Sequence, residues 1–285
     1  MEVVMIGPES DGLRALAERV PNGATVALFK EQTPVALVRA LVEREVRDLH
    51  LVTVPTGGLA ADLLIGAGCV RTIETSGVTF GEHGAAPAFA RAVRSGTVRP
   101  LDSTCPAVYA ALQAGGKGIP FIPIRGVLGT DVLRHRSDWR VIDNPFEERG
   151  SSSPKGGSLS KSDPVVVLPA LRPDVALLHV ARADRYGNVW IGAEEGLRIV
   201  TQAANRVLVT TEELVDGDLM ADPLSAAGTL PAFYVDRVAL APRGSWPLAL
   251  DGCYPEDVEA IRRYLERARS GAPVSAWLEP LAAAA

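Results

Sequence analysis

Short β-branched apolar runs alternate along this chain with Ala- and Leu-rich segments at helical spacing. That is the sequence form of α/β architecture with mostly parallel strands. Residues 24–28 form the first such run. Pro34 follows, with a fixed φ suited to a first helical turn, and Val35, Leu37, Val38, Leu41 and Val42 share one apolar side. Residues 49–54 predict the next strand, the turn Pro55-Thr56-Gly57-Gly58 opens a helix over 59–65, and 70–75 is a third strand. Helices are expected over 85–94, stopped near Gly96, and over 107–114, stopped by Gly115 and Gly116. Prolines inside 119–124 put that strand near an edge or a strand end. Residues 165–168, 175–180 and 207–210 are continuous apolar runs, as strands covered on both faces require. Residues 235–240 read as one more strand. A last helix over 255–269 carries Glu256 and Asp257 at its start and Arg267 and Arg269 at its end, as the helix dipole favours.

A length of 285 residues, 47% hydrophobic and 22% charged, is ample for a packed core. We expect a single domain over 1–285, broken by a flexible polar insertion at about 147–163 that is dense in Ser and Gly. The insertion reads as a tolerated surface excursion or as a mobile flap over a site. Lys and Arg number 29 against 34 Asp and Glu, with no long basic block, so the electrostatic footprint of a nucleic-acid binder is missing. No apolar run approaches the roughly 18 residues that span a bilayer, and no basic leader opens the chain, so a cytoplasmic protein without membrane contact is expected. Cys69, Cys105 and Cys253 lie far apart, which argues against a disulfide framework or a Cys-rich zinc site.

Nucleotide loops fail by residue. Gly66-Ala67-Gly68 lacks the third glycine of a dinucleotide fingerprint, and Gly116-Lys117 lacks the rest of a phosphate loop. No Gly-x-Ser-x-Gly elbow exists, and His50, His83, His135 and His179 are isolated, so no metal site is expected. His83, in a glycine-flanked polar turn, is the least ordinary of the four. Arg125 follows a proline-bounded strand, where it could hold a carboxylate or phosphate, or pair with Asp131 or a helix end. Asp102-Ser103-Thr104 reads either as a helix N-cap cluster or as the polar lining of a cleft. Cys105 reads as a small buried residue.

The order of segments resembles the A (α) subunit of family I coenzyme A transferases, nearest the glutaconate branch. The most specific match runs from Asp174 through His179 to Asp184-Arg185-Tyr186-Gly187-Asn188, the family's strand, His, then Ala-Asp-x-x-Gly-Asn. Support comes from 22–27, 34–39, 48–54, 68–71 and 118–131, so the likeness spans about residues 20–250. Two stretches depart from it. The loop after the first strand, Phe29-Lys30-Glu31-Gln32-Thr33, is shorter and lacks the glycines that let coenzyme A approach the backbone. Residues 101–105 replace an often Glu-rich stretch and offer Asp102 instead.

The resemblance implies a mostly parallel sheet covered by helices, on a fold related to sugar-phosphate isomerases. It implies half of a heteromeric enzyme, a heterodimer or heterotetramer with a B (β) subunit that carries the nucleophilic glutamate. The substrate would be an acyl-CoA thioester, with no permanently bound cofactor. This chain would supply the opposing cleft wall: Lys30, Glu31, Gln32, Ser76, Phe80, Glu82, Ser103 and Arg125 for binding, and Asp102 for acid–base or orienting work. An acyl-CoA hydrolase or decarboxylase on the same scaffold is the alternative. A non-catalytic ligand-binding module is the third reading, since fold alone does not fix function.

Overall fold

Period-two patterning in the strands sends alternate side chains into two helical layers. The computed structural model describes residues 4–6, 9–146 and 163–273. Its strands are β1 (Val4–Ile6), β2 (Thr25–Phe29), β3 (Leu49–Val54), β4 (Val70–Thr75), β5 (Arg99–Asp102), β6 (Phe121–Ile124), β7 (Arg140–Asp143), β8 (Pro164–Pro169), β9 (Val175–Asp184), β10 (Val189–Trp190), β11 (Val207–Val215), β12 (Thr229–Leu230) and β13 (Arg237–Leu240). Its helices are α1 (Glu9–Ala17), α2 (Val35–Glu43), α3 (Leu59–Gly66), α4 (Pro87–Ser95), α5 (Cys105–Gly116), α6 (Val132–His135), α7 (Glu195–Ala203), α8 (Pro223–Ala227) and α9 (Val258–Ser270).

Eight strands run β1-β13-β11-β9-β2-β3-β4-β5, every pair parallel. On β2, Val26 and Leu28 point into a core shared with α2, α3, α4 and α9, while Ala27 and Phe29 point into a second core under α5 and α7. Val175 and Leu177 against Ala176 and Leu178 repeat the alternation on β9. Chain order reverses between β2 and β9: from there β3 to β5 lie one way and β11 and β13 the other. That reversal opens a crevice at the carboxyl ends of the strands. Short β10 and β12 add an antiparallel pair beside β9.

The run at 165–168 departs from expectation. As β8 it is the middle strand of a separate antiparallel sheet ordered β6-β8-β7, with β6 at one edge. Val166 and Leu168 are buried there against Trp139 and Ala107. Gly115 does not stop its helix either, because α5 continues to Gly116. A Cβ on Gly115 would lie 1.9 Å from the Leu171 carbonyl oxygen, so the glycine serves close packing rather than termination. The insertion predicted at 147–163 lies outside the described residues except for Asp163. Among the described residues no helix is long and apolar enough to cross a membrane.

Candidate active site

Loops at the carboxyl ends of β2 and β4, with the segments that precede and begin α9, enclose a cleft of about 360 Å³. Lys30, Glu31, Gln32, Phe80 and Glu82, all expected from sequence, line it together. Gln32 takes a left-handed backbone (φ 55°). The conformation is held by its neighbours: the His179 N–H donates to the Gln32 carbonyl at 2.9 Å, and the Ser245 hydroxyl donates to the Thr33 carbonyl at 2.7 Å.

Behind that loop lies a polar network that the sequence reading did not assemble. His179, at 0% exposure, bonds Glu212 Oε1 through Nε2 at 2.6 Å and Thr210 Oγ1 through Nδ1 at 2.8 Å. Glu212 also accepts the Tyr254 hydroxyl at 2.7 Å and the N–H groups of Arg243 (2.7 Å) and Gly244 (3.1 Å). Burial opposes its ionisation, yet the bonds from His179, Arg243 and Tyr254 hold its carboxyl below the ordinary range. Burial and the Glu212 bond push the Tyr254 phenol up. Only glycine fits at 244, since a Cβ there would lie 2.5 Å from His179 Cε1.

At the ends of β4 and β5 the Ser76 hydroxyl donates to the Pro55 carbonyl at 2.6 Å and sits 3.2 Å from Cys105 Sγ. Thr104, rather than Asp102, caps α5, its hydroxyl accepting from the Ala107 N–H. Asp102 faces solvent, and its carbonyl accepts from Arg136 Nη1 at 3.1 Å. The Arg136 side chain is 2% exposed, pairs with buried Glu74 at 2.8 Å, grips Asp138 and stacks over Trp139. Burial raises the Glu74 carboxyl, and Arg136 opposes the shift.

Arg125 lies apart from the other expected residues. It belongs to the end of β6, where both guanidinium branches engage Asp163, and it does not line the cleft. The Asp163 carboxyl is drawn down to about 2, by Arg125 first and Asn144 second. The cleft instead recruits residues without a local sequence signal: Glu194, Asp251 and Glu256, with His83 at 3.4 Å from Glu256. Five carboxylates (Glu31, Glu82, Glu194, Asp251, Glu256) thus face Lys30 and His83. One buried side-chain atom of the lining, Gln32 Oε1, has no hydrogen-bond partner. A buried polar atom without a partner is left for a water, an ion or a ligand to complete.

An open parallel sheet with a polar crevice at its order reversal defines a ligand-handling α/β protein. The family model for coenzyme A transferase matches residues 13–241, and the chain belongs to that family. It is 32% identical over 274 residues to the A subunit of the 3-oxoadipate CoA-transferase of Pseudomonas knackmussii, covering 94% of this chain and 91% of that protein. An uncharacterized protein of Archaeoglobus fulgidus is 34% identical over 216 residues, 73% of this chain, which spans only 44% of the length of that relative. Among solved structures, a variant of the decarboxylase AibA/AibB superposes with a TM-score of 0.82 at 30% identity, covering 99% of this chain and 100% of that one.

Proposed function

We propose that this chain is the A subunit of a heteromeric enzyme that moves coenzyme A between an acyl-CoA thioester and a carboxylic acid. The observation that carries the reading is the end-to-end match to the A subunit of a CoA-transferase. In this reading the thioester carbonyl is attacked by a glutamate of the B subunit, forming an acyl–glutamyl anhydride and free CoA thiolate. The thiolate then attacks the glutamyl carbonyl, releasing the first acid and leaving a glutamyl-CoA thioester for the second acid to reverse.

This chain supplies the facing wall. Lys30, Glu31, Gln32, Phe80 and Glu82 line the cavity that takes the substrate, and the unpartnered Gln32 Oε1 is offered to it. Ser76, Ser103 and Asp102 lie at the ends of β4 and β5, outside that lining, and Asp102 is the candidate acid–base or orienting group. With five carboxylates around one lysine, the cavity suits the uncharged pantetheine and acyl end of the thioester better than its phosphates. Arg125, held by Asp163, has no part in it. We take the complex to be a cytoplasmic heterodimer or heterotetramer, with residues 1–285 acting as one unit.

A second reading, decarboxylation or hydrolysis of an acyl-CoA on the same scaffold, is favoured by the full-length likeness to a decarboxylase. One experiment separates the two. The co-expressed complex is mixed with an acyl-CoA panel, quenched with borohydride and weighed as intact subunits. Transfer leaves a reduced glutamate on the B subunit. Substrate consumed with no such mass change favours the second reading. Asp102→Asn is expected to slow turnover at least about tenfold, the scale of lost acid–base help. An unchanged rate would remove Asp102 from the site.

A further inference from the structure

Four residues other than glycine hold a left-handed backbone among the described residues: Gln32, Glu45, Asp48 and Arg243, with φ between 55° and 58°. Glu45 and Asp48 sit in the turn between α2 and β3, at the amino end of the sheet. Gln32 and Arg243 follow β2 and β13 at the carboxyl ends, where the cleft opens. A residue with a side chain persists in this conformation only where its surroundings over-determine it. Gln32 and Arg243 are held by one hydrogen-bonded group, and Glu212 is its centre.

A carboxylate offers about four acceptor sites. Four donors meet that of Glu212: His179 Nε2, the Tyr254 hydroxyl and the N–H groups of Arg243 and Gly244. From there the bonds run two ways. One set reaches the loop after β2. His179, bonded at both ring nitrogens, gives its backbone N–H to the Gln32 carbonyl, Ala36 gives its N–H to the Gly244 carbonyl at 2.9 Å, and Ser245 gives its hydroxyl to the Thr33 carbonyl. The other set reaches the segment before α9. The Tyr254 hydroxyl accepts the Ser245 N–H at 3.1 Å, its backbone exchanges two hydrogen bonds of 3.0 Å with Leu250, and the Arg243 guanidinium lies over its ring. Lys30, Glu31 and Gln32 line the cleft from the first segment, and Leu248, Leu250 and Asp251 from the second. Glu212, His179, Arg243 and Tyr254 stand behind this lining rather than in it.

We infer that Glu212 is a positioning residue, whose carboxylate joins the two walls of the cleft and fixes residues 30–32 against 248–251. The inference rests on the reading of that cleft as the substrate site. Moving the groups that orient a reaction by about 1 Å costs on the order of a hundredfold in rate, so a carboxylate that never touches substrate is still felt in turnover. Glutamine is the sharp probe. It keeps the shape of the side chain, yet its single amide oxygen can serve only part of the four donors, and its NH2 faces the rest. Both walls then lose their common anchor. Tyr254→Phe removes only the branch that leads to the second wall.

The test uses the complex co-expressed with the B subunit, at neutral pH and below the unfolding midpoint of each variant. It reads amide hydrogen exchange, and steady-state rates on the member of the acyl-CoA panel that the wild type consumes fastest. Glu212→Gln is expected to speed exchange about tenfold or more over 30–33 and 248–254 while α3 and α4 stay as in the wild type. Its kcat should fall about a hundredfold with KM within about threefold, the pattern of geometry lost in the transition state. Tyr254→Phe should loosen 248–254 alone and lower kcat about tenfold, and it decides the matter if the Glu212 variant does not fold. Asp62→Asn alters a buried carboxylate with similar partners that anchors α4, and its kcat should stay within about threefold of the wild type. Unchanged exchange at either wall in the Glu212 variant, or over 248–254 in the Tyr254 variant, overturns the inference. So does a wild-type kcat with both walls loosened. Equal losses of kcat in the Glu212 and Asp62 variants also overturn it, because Glu212 then does no more than keep the chain folded. A wild-type complex that consumes no member of the panel overturns the transferase reading, and the exchange at the two walls then upholds or overturns the inference by itself.

Discussion

Two buried carboxylates, Asp62 under α9 and Glu212 behind the cleft, look alike in their partners, yet the fold opposes the ionisation of one and favours that of the other. Asp62 accepts the Phe89 N–H at 2.7 Å, the Tyr264 hydroxyl at 2.7 Å and the Ala88 N–H at 3.4 Å, anchoring the start of α4. Glu212 accepts two N–H groups, a tyrosine hydroxyl and His179. Desolvation nonetheless wins at Asp62 and raises its carboxyl, whereas the hydrogen bonds win at Glu212 and lower it. Asp62 is 0% exposed, while the Glu212 side chain keeps 15% of its surface and gains an imidazole. A modest remnant of solvent and one more donor are enough to reverse the sign. The Asp62 pocket is a fastening. The Glu212 pocket is a charged support for the loop that lines the cleft.

Glu74 extends the comparison to a carboxylate that relies on a full counter-charge. Arg136→Ala would strand it, and the expected loss is about 3–5 kcal/mol in denaturant unfolding, the scale for breaking a buried pair. A loss near zero would mean that Glu74 is already neutral in the native protein. Next come the two tyrosines. Tyr254→Phe removes a donor from the carboxylate whose ionisation its bonds favour and should cost about 2 kcal/mol, against about 1 kcal/mol for Tyr264→Phe, beside the carboxylate whose ionisation burial opposes. Equal costs would erase the difference between the two sites.

The smallest effect is the most diagnostic. Glu212, with a folded-state pKa below its unfolded value near 4.3, gives stability that is present above that pH and lost as pH falls through the folded value. Asp62 has the opposite sign: its folded value lies above about 3.9, so its ionisation lowers stability as pH rises through that window. Relative to the parent, Glu212→Gln should therefore lose stability as pH rises through its window, and Asp62→Asn should gain it. Unfolding midpoints taken between acidic and neutral pH measure both, and parallel curves would break the comparison.

Most of the parallel sheet was legible because buried strands announce themselves as unbroken apolar runs. Residues 49–54 and 70–75 became β3 and β4 with the bounds expected. The helix α7 was missed although Leu197, Val200 and Ala203 carry its spacing. Gly196 obscured it, and the reason is tertiary: a Cβ there would lie 2.3 Å from the Phe29 ring. The antiparallel sheet was missed because an apolar run does not state the direction of its neighbours. The site divides the same way. Lys30 to Gln32, Phe80 and Glu82, expected from their place in the loops of the resembling family, do line one cavity together. Glu194, Asp251 and Glu256 arrive from segments whose proximity only the fold creates, and Arg125 lies apart from the cavity because the strand before it joined the other sheet.

The hydrogen bonds between Asn144 and Asp163 have an engineering consequence. The Asn144 N–H donates to the Asp163 carbonyl and the side-chain amide to its carboxylate, both at 2.8 Å, so the chain leaves the small sheet and returns to it at the same point. Asp163 therefore ties the exit of β7 to the entry of β8, and a designer who replaces it should expect both strand ends to loosen together.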